Sequence, residues 1–329
     1  MKIHARTGSL LAASILAAIA VSIGSTKEPA GAKKTTVHGV GWFDSFEQAK
    51  IEAKRTGKPI LFLSMFGRLD EAMPCANART LRATLFQDSA FKSLVTQDVI
   101  PAWEMVRAVP KIEIDLGDGK KITRTVRGNA VMYLCNAKGE VIDAFPGVYT
   151  SEDFLPAVRE SLHELANADY AAVNAFHRVR GKVPPRTGAT TGKMMVESPT
   201  LNLIGAPPIA GAPAPMRTDD PARNQFLLAA SRISDASLTP MPAREIVPLL
   251  TGAELEGRDP KAVAEQILRN DSQINMQRVR PVIHLWLASE KTMITPKEAR
   301  DAVLETILKI PYKDPYFGLK DVLLPGTPG

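Results

Sequence analysis

A buried strand is predicted by the stretch Gly57-Lys58-Pro59-Ile60-Leu61-Phe62-Leu63-Ser64-Met65-Phe66. After its proline it is apolar at every position but one, and such a run is typical of a strand that is covered on both faces. A helix is predicted immediately before it, over residues 45–56, with Asp44 and Glu47 in a capping-box pattern at its start and a glycine at its end. A helix that leads into a doubly buried strand indicates the α/β class.

The segments that follow alternate between helical and extended patterns. The spacing of apolar residues predicts helices over residues 75–86 and 91–95, and a helix from residue 150 that continues or restarts to about residue 180. Alternation with period two on either side of a Gly-Asp-Gly turn predicts a hairpin. The predicted strands and hairpin arms lie at residues 99–106, 112–116, 122–126, 130–135 and 141–145.

Short motifs occur at set places in this succession of elements. A tryptophan opens it, Gly-Lys-Pro leads into the buried strand, a cysteine starts the next helix, and glycines accompany the last hairpin. The residues concerned are Trp42, Gly57, Lys58, Pro59, Cys75, Phe86, Asp88, Gly139 and Gly147. Their order resembles that of the exported thioredoxin-like proteins. The resemblance implies a three-layer α/β sandwich, with a mixed central sheet flanked by helices, over residues 42–181.

The chain departs from that family at both residues that carry dithiol chemistry. The family has a Cys-x-x-Cys motif at the start of the helix, whereas this chain reads Cys75-Ala76-Asn77-Ala78 and has Ala78 at the second cysteine position. The family also has a cis-proline before its fourth main strand, and the matching residue here is Ala130, which favours a trans bond. The resemblance therefore implies a degenerate Cys-x-x-Ala motif and argues against ordinary dithiol–disulfide exchange.

Cys75 has two interpretations that the sequence leaves open. At a helix N-terminus, backbone N–H groups and the helix dipole lower the pKa of a thiol, and the thiolate is a nucleophile without a second cysteine. The alternative is a small apolar residue in the core. Cys135 is predicted about 16 Å along its strand from Ala130, at about 3.3 Å per residue, which is too far for a disulfide with Cys75. We expect Cys135 to pack in the core.

No metal or cofactor site is predicted, although a soft-metal site stays open as an alternative. Thioether and thiolate groups favour copper(I), so methionines around Cys75 form a candidate ligand set. Core packing is the simpler interpretation of these methionines. They are Met65, Met73, Met105 and Met132.

Other candidate groups give weaker signals. Asp70 and Glu71 are candidate bases for the Cys75 thiol, but carboxylates oppose a thiolate, and we expect both in solvent. The histidines of the second half have no i, i+4 spacing that is typical of metal ligands. They are His163, His177 and His284, and we interpret the last, beside Trp286, as a core residue.

Residues 1–32 have the order of a secretory signal. Lys2 and Arg6 precede an apolar run over residues 10–23, which small residues follow. The run is shorter than the ~20 residues that span a bilayer comfortably, and an uncleaved anchor stays open as an alternative. We expect an exported protein, periplasmic or secreted, with no stable membrane span after signal cleavage. Residues 33–41 are predicted to be a lead-in.

The composition changes beyond residue 181. Residues 182–220 are rich in proline, glycine and alanine, which predicts a linker. Over residues 221–329 the pattern predicts a small, mainly α-helical C-terminal region, with helix starts at Pro221, Pro260 and Thr295. The last stretch, residues 311–329, has a loop-like composition.

Composition and motifs together limit the function. The 329 residues carry a net charge of +6 with acids and bases interspersed, whereas nucleic-acid binding needs a clustered basic footprint. Two cysteines exclude a multi-disulfide scaffold and a four-cysteine zinc site. We expect a non-catalytic binding module whose partner is another exported protein. The alternatives are a single-cysteine thiol oxidoreductase or sensor that acts on a thiol substrate through Cys75, and a copper(I) carrier.

Overall fold

The computed structural model describes residues 31–115, 117–184, 218–231 and 260–320. Within these ranges, six strands form one mixed sheet that has helices on both faces, and two further strands form a separate hairpin. The protein therefore has an α/β fold, as predicted.

The strands agree closely with the apolar patterns of the sequence. They are β1 (Lys34–Val37), β2 (Val40–Phe43), β3 (Ile60–Phe66), β4 (Ile100–Arg107), β5 (Lys111–Asp115), β6 (Lys121–Thr125), β7 (Ala130–Cys135) and β8 (Val141–Pro146). The main sheet has the order β1-β2-β4-β3-β7-β8, and β5 and β6 form the predicted hairpin. Strands β2, β4 and β3 are parallel, whereas β1, β7 and β8 pair antiparallel with their neighbours.

Except for α8, for which no start was predicted, the helices begin within a few residues of their predicted starts. They are α1 (Phe46–Thr56), α2 (Ala76–Ala83), α3 (Ser89–Gln97), α4 (Ser151–Leu165), α5 (Tyr170–Arg180), α6 (Pro221–Ser231), α7 (Pro260–Ile274), α8 (Arg280–Ser289) and α9 (Pro296–Asp301). A π-helical turn, Asn275–Val279, joins α7 to α8, and a second, Ala302–Ile307, continues α9. Thr295 caps α9 in a complete capping box, as the sequence predicts.

Aromatic side chains fill both faces of the main sheet. On one face, the ring of Phe46 in α1 lies 4.7 Å from that of Phe62 in β3, which in turn lies 6.3 Å from Tyr133 in β7. On the other face, Phe145 in β8 packs 5.1 Å from Phe154 in α4. Phe145 pairs in register with the residue before Tyr133, and because side chains alternate along a strand, these two aromatics point to opposite faces. The result is a layer of helix on either side of the sheet.

The chain before α1 differs from the prediction in two ways. Residues 34–37, expected in a lead-in, form the edge strand β1, which pairs with β2. Asp44 does not cap α1, which begins after Ser45 without a side-chain capping bond. The Asp44 carboxylate instead accepts hydrogen bonds from Trp103 Nε1 at 2.8 Å and from the Thr35 hydroxyl at 2.6 Å. These partners belong to other strands, so a local capping pattern does not reveal them.

The described C-terminal helices pack on the edge of the sheet. Helix α8 contacts α5, α6 and strand β8. The Val141 N–H of β8 donates to the Ile294 carbonyl at 2.7 Å, so the segment after α8 satisfies part of this edge.

Two predictions fall mainly outside the described residues. The signal over residues 1–32 is described only from residue 31, and the linker over 182–220 only at its two ends. Residues 232–259 and 321–329 are likewise outside the described ranges. In the part of the chain that the structure describes, no helix is long and apolar enough to cross a membrane.

Candidate functional site

Cys75 lies at the start of α2, as predicted, and occupies its N-cap position. The loop from β3 to α2 returns the chain to the end of the strand, so that the Cys75 N–H donates to the Phe66 carbonyl at 3.0 Å. Gly67 makes this return possible: it has φ +79°, and a Cβ there would lie 2.9 Å from Pro74 Cα. The end of the central parallel strand therefore holds Cys75 in place.

The Cys75 thiol is fully buried, and its sulfur donates to the Asn129 carbonyl at 3.4 Å. Burial raises the pKa of Cys75 to about 11, which outweighs the opposite effect of nearby backbone N–H groups and of Arg79. The thiol is therefore protonated at neutral pH. The helix start favours a thiolate, as predicted, but burial has the larger effect.

Ala130 and Ala78 both lie in the interior at this end of the sheet. Ala130 begins β7, pairs with Met65 and follows the residue that accepts the Cys75 hydrogen bond. Its peptide bond is trans, as are all those of the described residues. Gly128 has φ +88°, and a Cβ there would lie 3.1 Å from Cys75 Cβ. We call Phe66, Cys75, Asn77, Gly128 and Asn129 together the Cys75 site.

Polar side chains that the sequence did not single out surround the thiol. Asn77 donates from its side-chain amide to the side-chain carbonyl of Asn129, and both residues are fully buried. Arg79 is also buried, and its guanidinium donates to the Thr125 hydroxyl at 3.0 Å and to Met73 Sδ at 3.4 Å. A buried cation next to Met73 opposes a copper ion at the same sulfur.

Asp70 and Glu71, the two candidate bases in the loop before α2, both bind Arg68. The Asp70 carboxylate pairs with the Arg68 guanidinium at 2.9 Å on the surface. Glu71 Oε1 accepts from the Arg68 backbone N–H at 2.8 Å. Both carboxylates therefore organise the loop itself.

Cys135 lies at the opposite end of β3 from Cys75. It pairs with Ile60, the first residue of that strand, is fully buried, and has a pKa raised well above its usual range by burial. Both cysteines are free. The predictions of a core position for Cys135 and of no disulfide between the two are confirmed.

A second buried group of charged and polar side chains lies between β8 and the helices. The two terminal guanidinium nitrogens of Arg280, Nη1 and Nη2, donate to the Asp143 carboxylate at 2.5 and 2.9 Å. His177 Nδ1 lies 2.7 Å from His284 Nδ1, while its Nε2 lies 2.8 Å from the Ile142 carbonyl. Because only an N–H can bond to that carbonyl, His177 carries its proton on Nε2 and accepts from His284. We call Asp143, His177, Arg280 and His284 the ion-pair cluster.

Burial governs the protonation of the ion-pair cluster. Desolvation lowers the pKa of both histidines, and with Arg280 nearby it lowers that of His284 to about 2. Burial is the largest single effect and raises the pKa of Asp143, but the charge and the hydrogen bonds of Arg280, together with the other groups nearby, outweigh it and hold that pKa well below its usual range. The cluster is therefore one buried ion pair beside two neutral imidazoles.

The cluster contains residue types that ligate metals, since atoms of Asp143, His177 and His284 lie within 4.8 Å of one another. The Asp143 carboxylate is fully engaged, however, because it also accepts from the Ser161 hydroxyl at 2.6 Å and from the Ala144 N–H at 2.7 Å. The Arg280 charge adjoins the same carboxylate and opposes a second cation. The donor set fits an ion pair and does not fit a metal.

The sequence did not predict this cluster. His177 and His284 are 107 residues apart, and Asp143 lies on a third segment. A signal that could have indicated the cluster is Asp143 itself, a lone carboxylate in an apolar strand.

The π-helical turn Asn275–Val279, which precedes Arg280, makes a further contact with the sheet domain. It places Asn275 so that its side-chain amide donates to the Val148 carbonyl at 2.8 Å.

Comparison of this chain with protein-family models, with curated proteins and with solved structures finds no match. The functional assignment therefore rests on the Cys75 site and the ion-pair cluster.

Proposed function

We propose that this chain is an exported thioredoxin-like protein that binds a partner and does not catalyse thiol chemistry. The mixed sheet and the position of Cys75, at the start of the helix that follows the central strand, support the thioredoxin-like assignment. The apolar run in residues 10–23 of the sequence supports export.

The observation that carries the non-catalytic assignment is the state of the Cys75 thiol. It is fully buried and protonated at neutral pH, whereas a nucleophilic cysteine is a partly exposed thiolate. The second position of the motif is Ala78, and Cys135 lies at the far end of β3, so the described chain offers no resolving thiol nearby.

The alternative of single-cysteine chemistry has one observation in its favour, the N-cap position of Cys75 on α2. The copper(I) alternative has less support, because Arg79 donates to the Met73 sulfur that this function needs as a ligand. Copper uptake that Met73→Leu and Cys75→Ser both abolish would favour the copper alternative.

The helices after residue 218 serve as a small, mainly helical region that docks on the sheet through the ion-pair cluster. A buried, fully hydrogen-bonded ion pair contributes little net stability, but it disfavours arrangements that leave either charge unpaired. In this proposal the cluster fixes the register of α8 on β8 and so the shape of the binding module.

The proposal is tested by incubating the folded protein with oxidised glutathione at pH 7.5 and measuring its intact mass by mass spectrometry. We expect no adduct on the folded protein and two adducts per chain in guanidinium chloride, because only unfolding exposes the thiols. A Cys135→Ala variant assigns any adduct to Cys75. A glutathione adduct on Cys75 of the folded protein contradicts the proposal and favours the single-cysteine alternative.

A further inference from the structure

The chain covers its own Cys75 site with residues 311–319, which we call the cover segment. Phe317 of this segment is fully buried, and its ring lies 5.2 Å from that of Phe66 at an angle of 84°. Phe66 is the residue whose carbonyl accepts from Cys75. The cover segment therefore places one aromatic side chain at the end of β3, directly beside the Cys75 site.

Arg107, at the end of the neighbouring strand β4, holds the backbone of the cover segment. Its guanidinium donates to the carbonyls of Tyr312 at 2.9 Å, Asp314 at 2.7 Å and Pro315 at 3.2 Å. The same guanidinium lies 5.0 Å from the centre of the Phe317 ring. One arginine thus recognises three carbonyls and an aromatic face, which is recognition of a peptide backbone in a particular turn.

Hydrogen bonds within the cover segment also stabilise this turn. The Asp314 carboxylate accepts from the N–H groups of Tyr316 at 3.0 Å and of Gly318 at 2.7 Å. Gly318 has φ +63°, and a Cβ there would lie 2.9 Å from Arg127 Nη1. The left-handed backbone therefore favours glycine at position 318, whereas the ring contact with Phe66 favours an aromatic residue at position 317.

Backbone strain is concentrated around this contact. Of the four non-glycine residues with positive φ in the described ranges, three lie in or next to it: Arg127 at 60°, Lys309 at 56° and Phe317 at 59°. A left-handed phenylalanine is uncommon, and such strain persists where other contacts enforce it, as at ligand clamps. The segment itself contains no residue of a described helix or strand, so its release breaks neither within residues 311–319.

We propose that Phe66, Arg107 and Arg127 form a peptide-binding surface, and that the cover segment occupies it as an intramolecular ligand. The partner is a protein segment of the same chemistry: a turn in which an aromatic residue precedes a glycine, with carbonyls that accept from Arg107. Release of the cover segment opens the surface to this partner. The inference rests on the proposed binding function and names the surface that performs it.

The test uses the full chain and a fluorescein-labelled peptide of the sequence of residues 311–320. In the unmodified protein the cover segment competes at an effective concentration in the millimolar range, so the peptide binds weakly. Phe317→Ala removes the aromatic anchor of the competitor and leaves the surface intact. We expect it to bind the peptide at least ten-fold tighter than the unmodified protein.

Two further variants make the comparison specific. Tyr316→Ala removes an aromatic side chain of the same segment that is 55% exposed, and we expect it to bind the peptide as weakly as the unmodified protein does. Adding Arg107→Ala to Phe317→Ala removes the carbonyl donor, and we expect the gain in affinity to be lost. A folded Phe317→Ala protein that binds the peptide no tighter than the unmodified protein overturns the proposal.

Hydrogen exchange on the unmodified protein gives a second test that needs no variant. The Phe317 and Leu319 amides are hydrogen-bonded within the cover segment, and we expect them to exchange at least a hundred-fold faster than the amides of β3. Exchange as slow as that of β3 means that the segment opens only with global unfolding, and overturns the proposal. If the peptide-binding test or the hydrogen-exchange test fails, only the proposed surface is overturned. The non-catalytic function is tested separately by the reaction with glutathione.

Discussion

The helix start and burial have opposite effects on the pKa of the Cys75 thiol: the helix start lowers it and burial raises it. The helix start can be predicted from the sequence, because Pro74 and the apolar spacing that follows it indicate where α2 begins. The burial of the thiol cannot, because Gly128 and Asn129, which cover it, come from a segment more than fifty residues further along the chain. A local pattern thus predicts the position of this residue and leaves its pKa undetermined.

Gly128→Ala tests the close packing at the Cys75 site. The substitution places a Cβ 3.1 Å from the Cβ atoms of Cys75 and Phe66 on a backbone with φ +88°. We expect a loss of about 2–4 kcal/mol in the free energy of unfolding, measured in urea, from strain and overpacking together.

Gly119→Ala is the matched control, because Gly119 has φ +83° and open space around its Cβ position. We expect a loss of about 1 kcal/mol from backbone strain alone. Equal losses in the two variants would show that Gly128 is not tightly packed against the Cys75 site.

The elements of the second half are joined to the sheet by the ion-pair cluster. Helix α8 brings Arg280 and His284, α5 brings His177, and β8 brings Asp143. The starts of α7 and α9 were predictable because proline and a capping residue mark them. The contact between α8 and β8 was not, because it depends on side chains that meet only after the chain has folded.

Arg280→Met tests this contact between elements. It leaves the Asp143 charge buried without its cation, and we expect a loss of about 3–5 kcal/mol in the free energy of unfolding. Adding Asp143→Leu removes the second charge, so the double variant is expected to be more stable than the sum of the two single losses predicts.

The surface pair Arg269 and Glu152 is the control, since both side chains are more than half exposed. We expect Arg269→Met to change the free energy of unfolding by less than about 0.5 kcal/mol. An Arg280→Met variant as stable as this control would contradict the assigned role of the cluster.

For the molecule as a whole, the apolar patterns were sufficient to predict the α/β class and the succession of elements in the described residues. β7 was predicted at its observed bounds, and the β5–β6 hairpin to within a residue, because alternation and turn residues are local. The edge strand β1 was missed because its short, polar sequence forms a strand only by pairing with β2. The cover segment was predicted only as a loop, because its contacts with Phe66 and Arg107 join positions more than 200 residues apart in sequence.

We expect the stability of the whole protein to fall as the pH drops below about 6.5. His177 and His284 stay neutral in the folded protein because burial lowers their pKa, whereas the unfolded chain binds protons there below its ordinary value of about 6.5. Below that pH the free energy of unfolding therefore decreases by about 1.4 kcal/mol per pH unit for His284, and the lowered pKa of His177 adds to the decrease. Urea unfolding at half-unit steps from pH 7.5 to 4.5 measures the slope.

Two variants test whether the histidines of the ion-pair cluster cause this pH dependence. His284→Gln removes one titrating group and keeps an amide donor for His177, so we expect it to reduce the slope by about one proton. His163→Gln changes an exposed histidine, and we expect the slope to stay as in the unmodified protein. An unchanged slope in His284→Gln would mean that the cluster does not govern the acid sensitivity.

The most direct test of the non-catalytic assignment is the rate of iodoacetamide alkylation of Cys75 against pH, in the folded Cys135→Ala protein. Burial raises the pKa of Cys75 to about 11, so we predict slow alkylation at neutral pH and a rate that still rises above pH 10. A rate that reaches its plateau with a midpoint below the ordinary thiol pKa of about 8.5 would contradict it, since Cys75 would then be an accessible thiolate.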